Sequence, residues 1–174
     1  MQALLEELAR IEKATRGKKT EKQVEEMLTA FQRDPLFDYQ RLPDARSCMG
    51  RIPKQIGDFL WFYGNSHGVL EVKELKHDYR LPHDNVSQLP KLRRREMAGG
   101  KSFVIVKHTA ANVWRIVSFA FLWDGKNSPS WDLREIPTYP AAPITLLSWY
   151  ESTKRTASWI FEPAAALKEG RTEC

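Results

Sequence analysis

Cysteine is scarce in this 174-residue chain: only Cys48 and Cys174 occur. Two thiols give neither a disulfide framework nor the paired spacing of a zinc site, and they fit a reducing compartment. Long apolar runs are also absent. A helical membrane span needs about 18 consecutive apolar residues, and no stretch supplies them. The start, "MQALLEELAR", lacks the basic-then-apolar order of an export signal. A cytoplasmic protein without membrane attachment is therefore expected. His67, His77, His83 and His108 are not at metal-ligand spacing, and Cys48 has no identifiable base partner. Without internal repeats or low-complexity linkers, the chain suits one core. One domain over residues 1–174 is expected, with a core near 15–123 and a wrapping segment near 124–174.

What the chain does have is charge. Charged residues make up 28% of it, and the net charge is +5, a modest excess that makes a polyanion the first partner to consider. The positive residues cluster, as "RGKK" at 16–19 and "KLRRR" at 91–95.

Periodicity gives the elements. Leu4, Leu5, Leu8 and Ile11 recur at helical spacing, as do Val24, Met27, Leu28 and Phe31 in a second helix with Thr20 as its N-cap, ending near "RDP" at 33–35. "FDYQRLP" (37–43), "DFLWFYG" (58–64) and "GVLEVKEL" (68–75) read as strands, the last two joined by the turn residues "GNSHG". "DARSCMGRIPKQ" is a polar connection and "KHDYRLPHDN" a loop. "VSQLPKLRRREMAGG" reads as a helix with a proline near its start and Gly99 and Gly100 at its end. "SFVIVKH" (102–108) and "VWRIVSFAFLW" (113–123) read as an antiparallel pair. The proline-rich tail is expected to be loops plus a short helix near 143–154, its tryptophans serving a core or a dimer interface rather than base stacking. The class is α/β with a mixed central sheet.

The stretch "GDFLWFYGNSHGVLEVKEL" sets acids among core strands. Alternation puts Glu71 and Lys73 on one strand face and Leu70 and Val72 on the other. If the two strands pair, Asp58 approaches Glu71. Two neighbouring carboxylates repel unless a cation or proton intervenes, and Mg2+ is the hard, oxygen-seeking ion that would resolve the conflict. A nearby lysine can orient water or stabilise charge growing on a phosphate. Taken alone, the same residues also fit a solvated strand face with Asp58 merely in a turn.

The surrounding order resembles the PD-(D/E)XK nuclease superfamily, and within it the Holliday junction resolvases of the RecU and archaeal Hjc type. "RGKKTEKQVEEML" is similar to their N-terminal acidic helix, the Asp58 to Leu75 stretch to their catalytic hairpin, and "RLPHDNVSQLPKLRRREMAGGKSFVIVKH" to the segment where a glutamine-bearing helix leads into a strand. The likeness covers about residues 15–120. It implies a restriction-endonuclease-like core with a mixed central β-sheet flanked by helices. It also implies Asp58 and Glu71 as metal ligands with the carbonyl of Val72, Lys73 positioning the attacking water, Glu21 as the upstream acid with Glu25 as its alternative, and Gln88 at the site's edge. The cofactor would be Mg2+, or Mn2+ in its place. The partner would be DNA, four-way or otherwise branched, cut in line to leave a 5′-phosphate and a 3′-hydroxyl by a homodimer with two sites. Arg16, Lys18, Lys19, Lys91 and Arg94 are the DNA-binding candidates, although the first three also fit a solvated run. The family often has Pro before the Asp, where this chain has Gly57, and RecU's long stalk insertion is not evident. Two rival expectations stand beside this one: a nuclease of the same core acting on linear or single-stranded DNA in repair or restriction, and a non-catalytic basic DNA-binding protein.

Overall fold

The computed structural model describes residues 2–15, 19–43, 55–76 and 79–158. Its centre is a five-stranded sheet in the order β1-β2-β3-β5-β6, formed by Phe37–Arg41, Phe59–Tyr63, Ser66–Leu75, Lys101–His108 and Val113–Ser118. The β1-β2, β2-β3 and β5-β6 pairs are antiparallel and β3-β5 is parallel, so the sheet is mixed. A parallel pair needs a crossover, and here it carries β4 (Arg80–Pro82), a 3-10 turn (His83–Val86) and helix α3 (Leu89–Met97). The architecture is α/β with helices on both faces of a mixed sheet.

Each face has its own core. On one side α1 (Gln2–Thr15), α2 (Thr20–Phe31) and α5 (Ala142–Ser158) bury Leu8, Val24, Met27, Leu28 and Phe31 against Phe59, Trp61, Leu70 and Ile105. The stripes read from the sequence are those that pack here. On the other side α3 and α4 (Phe119–Asp124) place Leu89, Leu92, Phe119 and Leu122 against Val69, Val104, Val106 and Val117. The odd-numbered residues of β3 face this second side, so Glu71 and Lys73 lie on the α3 face while Glu74 turns to α2.

Four sequence expectations are corrected. Thr20 is the first helical residue and Lys19 the N-cap, without a side-chain capping bond; the Thr20 hydroxyl bonds the Glu74 carboxylate across the sheet edge instead. The segment 113–123 is not one strand. Ser118 ends β6 and caps α4, accepting from the N–H of Phe121 at 3.4 Å, so the apolar run after it buries Phe119 and Leu122 from a helix. The loop expected at 76–85 contains β4, which pairs with β7 (Ser130–Asp132) in a second sheet. The tail helix is 17 residues long rather than short, because Trp149 and Tyr150 reach the core, where Tyr150 stacks on Phe31 at 4.3 Å. α3 does end at Gly99, whose φ of +86° is the left-handed conformation that lets a helix stop there. Cys48, His77 and most of the 44–55 connection lie outside the described residues.

Candidate active site

The site forms where β2 stops short of its neighbour. The β2-β3 ladder ends at Phe59 opposite Leu70, yet β3 runs on to Leu75 along β5. Beyond Leu70 the backbone groups that point towards β2 lose their strand partner, and a buried strand must satisfy them another way. Asp58 does so. Its N–H donates to the Leu70 carbonyl at 3.1 Å, its own carbonyl accepts from Leu42 N–H at 2.8 Å, and its carboxylate Oδ2 accepts from Val72 N–H at 2.6 Å. In a strand the N–H and C=O of one residue project to the same side, so the Val72 carbonyl faces the edge that Asp58 occupies.

Gly57 allows this approach. A Cβ there would lie 2.3 Å from Val69 Cγ1 and 3.4 Å from Glu71 Oε2. A side chain at this position would collide with Val69, so the close approach of the Asp58 segment to β3 calls for glycine.

Glu71 is only 2% exposed, so the solvated-face reading does not describe it. Its Oε1 accepts from the Lys73 ammonium and from Gln88 Nε2, the latter at 2.5 Å. Gln88 is itself buried and immediately precedes α3, so the helix fixes the amide that fixes the acid. Glu71 Oε2 is buried without a hydrogen-bond partner among the described residues. An unmet carboxylate oxygen in the interior is costly.

The electrostatics show the same conflict. Burial, then the negative charge of Glu71, pushes the Asp58 carboxyl up to about 7 from an ordinary 3.8; the Val72 N–H and Lys73 oppose the rise, and Glu21 adds to it. Burial also raises Glu71, against the pull of Lys73 and Gln88. Two buried acids, each with its carboxyl raised, share one lysine and form a site that lacks positive charge. Among the described residues no set of three His, Cys, Asp or Glu side chains converges, so a cation here would take two carboxylates and draw its remaining protein oxygen from backbone. The orphaned Glu71 Oε2, the raised Asp58 and the all-oxygen donor set fit a hard divalent ion such as Mg2+.

The upstream acid sits at the start of α2. Glu21 is half-exposed and shares Arg41 with Glu25, at 3.4 and 2.6 Å respectively. Of the two, Glu21 is the one whose charge acts on Asp58 and Glu71. Glu21 also lines a depression of about 370 Å3 with Lys19, Thr20, Val72, Lys73 and Glu74. Lys19 thus opens onto the Lys73 side of the site. Lys91 and Arg94 are exposed on α3, the helix that follows Gln88. Arg16 and Lys18 lie outside the described residues. Arg41 and Thr20 are the participants that sequence reasoning missed; Arg41 ends an ordinary strand pattern, and nothing local signals its acids 16 and 20 positions earlier.

Two of the described histidines are placed away from the site. His83 stacks on Trp131 at 3.8 Å, and His108 is buried beside Tyr79.

No protein-family model matches the chain, and no curated protein does. Among solved structures the chain is similar to Hjc of Archaeoglobus fulgidus, a Holliday junction resolvase from an archaeal hyperthermophile. The identity is 22% and the TM-score 0.34, over 49% of this chain and 67% of that one.

Proposed function

We propose that this protein is a metal-dependent endonuclease that hydrolyses phosphodiester bonds in DNA, with four-way or otherwise branched DNA as its substrate. The observation that carries the reading is the buried Glu71, with one oxygen unpaired, beside an Asp58 whose carboxyl is pushed up to about 7. A structural ion pair has no use for a second acid, whereas a cation site does.

In this reading Asp58, Glu71 and the Val72 carbonyl hold Mg2+. When bound, the ion supplies positive charge beside the phosphate and makes nearby water a better nucleophile. The chain's own groups do the rest. Gln88 and Lys73 fix the orientation of Glu71. Lys73, one-quarter exposed and facing the depression, orients the attacking water and offsets the negative charge that grows on the phosphate. Glu21, across the same depression, accepts a hydrogen bond from water entering from solvent. Lys19 meets the phosphate backbone at the rim.

Cleaving a four-way junction symmetrically needs two sites, so the active species in this reading is a homodimer. A substrate panel tests it: a labelled four-way junction, a linear duplex with the same arms and the matching single strands, each with Mg2+. Junction-selective cleavage supports the whole reading. Equal cleavage of linear duplex keeps the nuclease and removes the branched substrate. Salt-sensitive binding without cleavage favours the non-catalytic alternative.

A further inference from the structure

The site does not account for the far end of α3. This helix carries Lys91, Arg93, Arg94 and Arg95 against one acid, Glu96. Glu96 is turned inward, where its carboxylate accepts from the Ser102 N–H at the start of β5. Among the described residues Arg93, Arg94 and Arg95 have no carboxylate partner, whereas Arg33, Arg41 and Arg134 each have one. Arg93, Arg94 and Arg95 are exposed and step about 100° apart around the helix, so each points a different way, and Arg93 is the one on the face turned to α4.

Arg93 is not loose on that face. Its guanidinium lies over the indole of Trp123 on α4, 4.0 Å from the ring centroid, and the Lys126 ammonium lies 4.9 Å from the same ring. Phe119 stacks on Trp123 at 5.7 Å and is itself buried, which anchors the platform to the core. A guanidinium held flat on an indole loses little further freedom when its N–H edge meets a planar or tetrahedral oxyanion. With Arg93 over the ring, Trp123 serves better as a mount for cations than as a surface for a base.

The position relates this mount to the site. Gln88, bonded to Glu71, immediately precedes α3, and Arg93 lies five residues on, roughly 7.5 Å along a helix axis at 1.5 Å per residue.

We infer that the α3–α4 face, with Arg93 mounted on Trp123 and Lys126 beside it, is a phosphate-contacting surface for a DNA strand leaving the Asp58–Glu71 site. The identity of the polyanion rests on the nuclease reading above; the surface itself rests on Arg93 and Lys126 and their shared aromatic mount. Trp123 acts here as a positioning residue, through Arg93.

The test is equilibrium binding of a fluorescent four-way junction and a matched linear duplex. It is run in EDTA across a salt series with the wild type, Arg93→Ala, Lys126→Ala, Trp123→Phe and Trp123→Ala. Losing one phosphate contact flattens the slope of log affinity against log salt by about 0.9. Arg93→Ala is expected to show that change and to weaken binding about three- to ten-fold at moderate salt. Lys126→Ala should do the same to a smaller degree. Trp123→Ala should weaken binding although it removes no charge, and Trp123→Phe, which keeps an aromatic face, should restore most of the loss. Unchanged affinity and slope in Arg93→Ala and Lys126→Ala would overturn the proposal, and these exposed positions give that answer even if Trp123→Ala fails to fold. The nuclease reading fails separately. A protein that never cuts with Mg2+ but still loses salt-dependent binding in Arg93→Ala keeps the surface, and one that cuts while indifferent to Arg93 and Lys126 loses only the surface.

Discussion

Replacing Asp58 with asparagine should stabilise the metal-free protein at alkaline pH while removing its proposed activity. The folded state raises the Asp58 carboxyl from 3.8 to about 7. At about 1.4 kcal/mol per unit this is roughly 4 kcal/mol against the folded state once the group is ionised. The sign follows from proton binding. Between pH 3.8 and about 7 the folded chain holds a proton that the unfolded chain has released, so this contribution falls as pH rises through that window. The replacement side chain carries no charge, and its amide oxygen can still accept from Val72 N–H. That bond, 2.6 Å long to a carboxylate in the wild type, loses about 1 kcal/mol of charge assistance. The expected net gain in Asp58→Asn is about 2–3 kcal/mol at pH 8, shrinking to under about 1 kcal/mol at pH 5. Urea unfolding of both proteins in EDTA at the two pH values reads this directly. A variant destabilised equally at pH 5 and pH 8 would refute the reasoning, because it would show that Asp58 sits in the fold as an ordinary ionised hydrogen-bond acceptor.

Millimolar Mg2+ should raise the thermal midpoint of the wild type at pH 8 and do so much less at pH 5, where Asp58 is protonated, and the rise should vanish in Glu71→Gln; calorimetry with and without the ion checks it. Lys73→Met should lower cleavage about 100- to 10,000-fold, with DNA affinity in EDTA reduced far less, which single-turnover kinetics and binding separate. Arg115 is 2% exposed, and among the described residues its Nε and Nη1 have no acceptor while the Tyr79 ring lies 5.0 Å from its guanidinium. Arg115→Met should therefore be neutral or stabilising by about 1–3 kcal/mol in chemical denaturation. Asp34 accepts from the hydroxyls of Tyr150 and Tyr63 at 2.6 and 3.1 Å. Burial opposes its ionised form, but those bonds and the Leu36 N–H hold its carboxyl below the usual value. Asp34→Ala should destabilise the protein by about 1–3 kcal/mol at pH 7, and by less once pH falls below the ordinary 3.8 and through the lowered value of the folded state; urea unfolding from neutral to acid pH measures it.

Where the sequence was legible, one physical rule dominated. α1 and α2 follow from apolar stripes with a wide polar face, and the β2-β3 hairpin from two apolar runs around a turn. The meeting of Asp58 with Glu71 follows from that hairpin alone, since pairing Phe59 with Leu70 leaves Asp58 opposite Glu71 and Val72. Illegible features depend on partners far along the chain. Residues 119–123 are as apolar as a strand, and only the Ser118 cap and the packing of Phe119 and Leu122 make them a helix. β4 forms because β7 arrives some 50 residues later, with Leu81 paired to Trp131. Arg41 reaches Glu21 and Glu25 across two elements, and the mount of Arg93 on Trp123 joins two helices that share no sequence pattern.

The most direct test of the central claim is cleavage of an end-labelled four-way DNA junction by the wild type with Mg2+, beside an EDTA control and Glu71→Gln. The account predicts paired, symmetric nicks with Mg2+ and none in either control, while Glu71→Gln still binds the junction. Cleavage that survives both controls would contradict it, as would a wild type that binds the junction tightly with Mg2+ and leaves every strand intact.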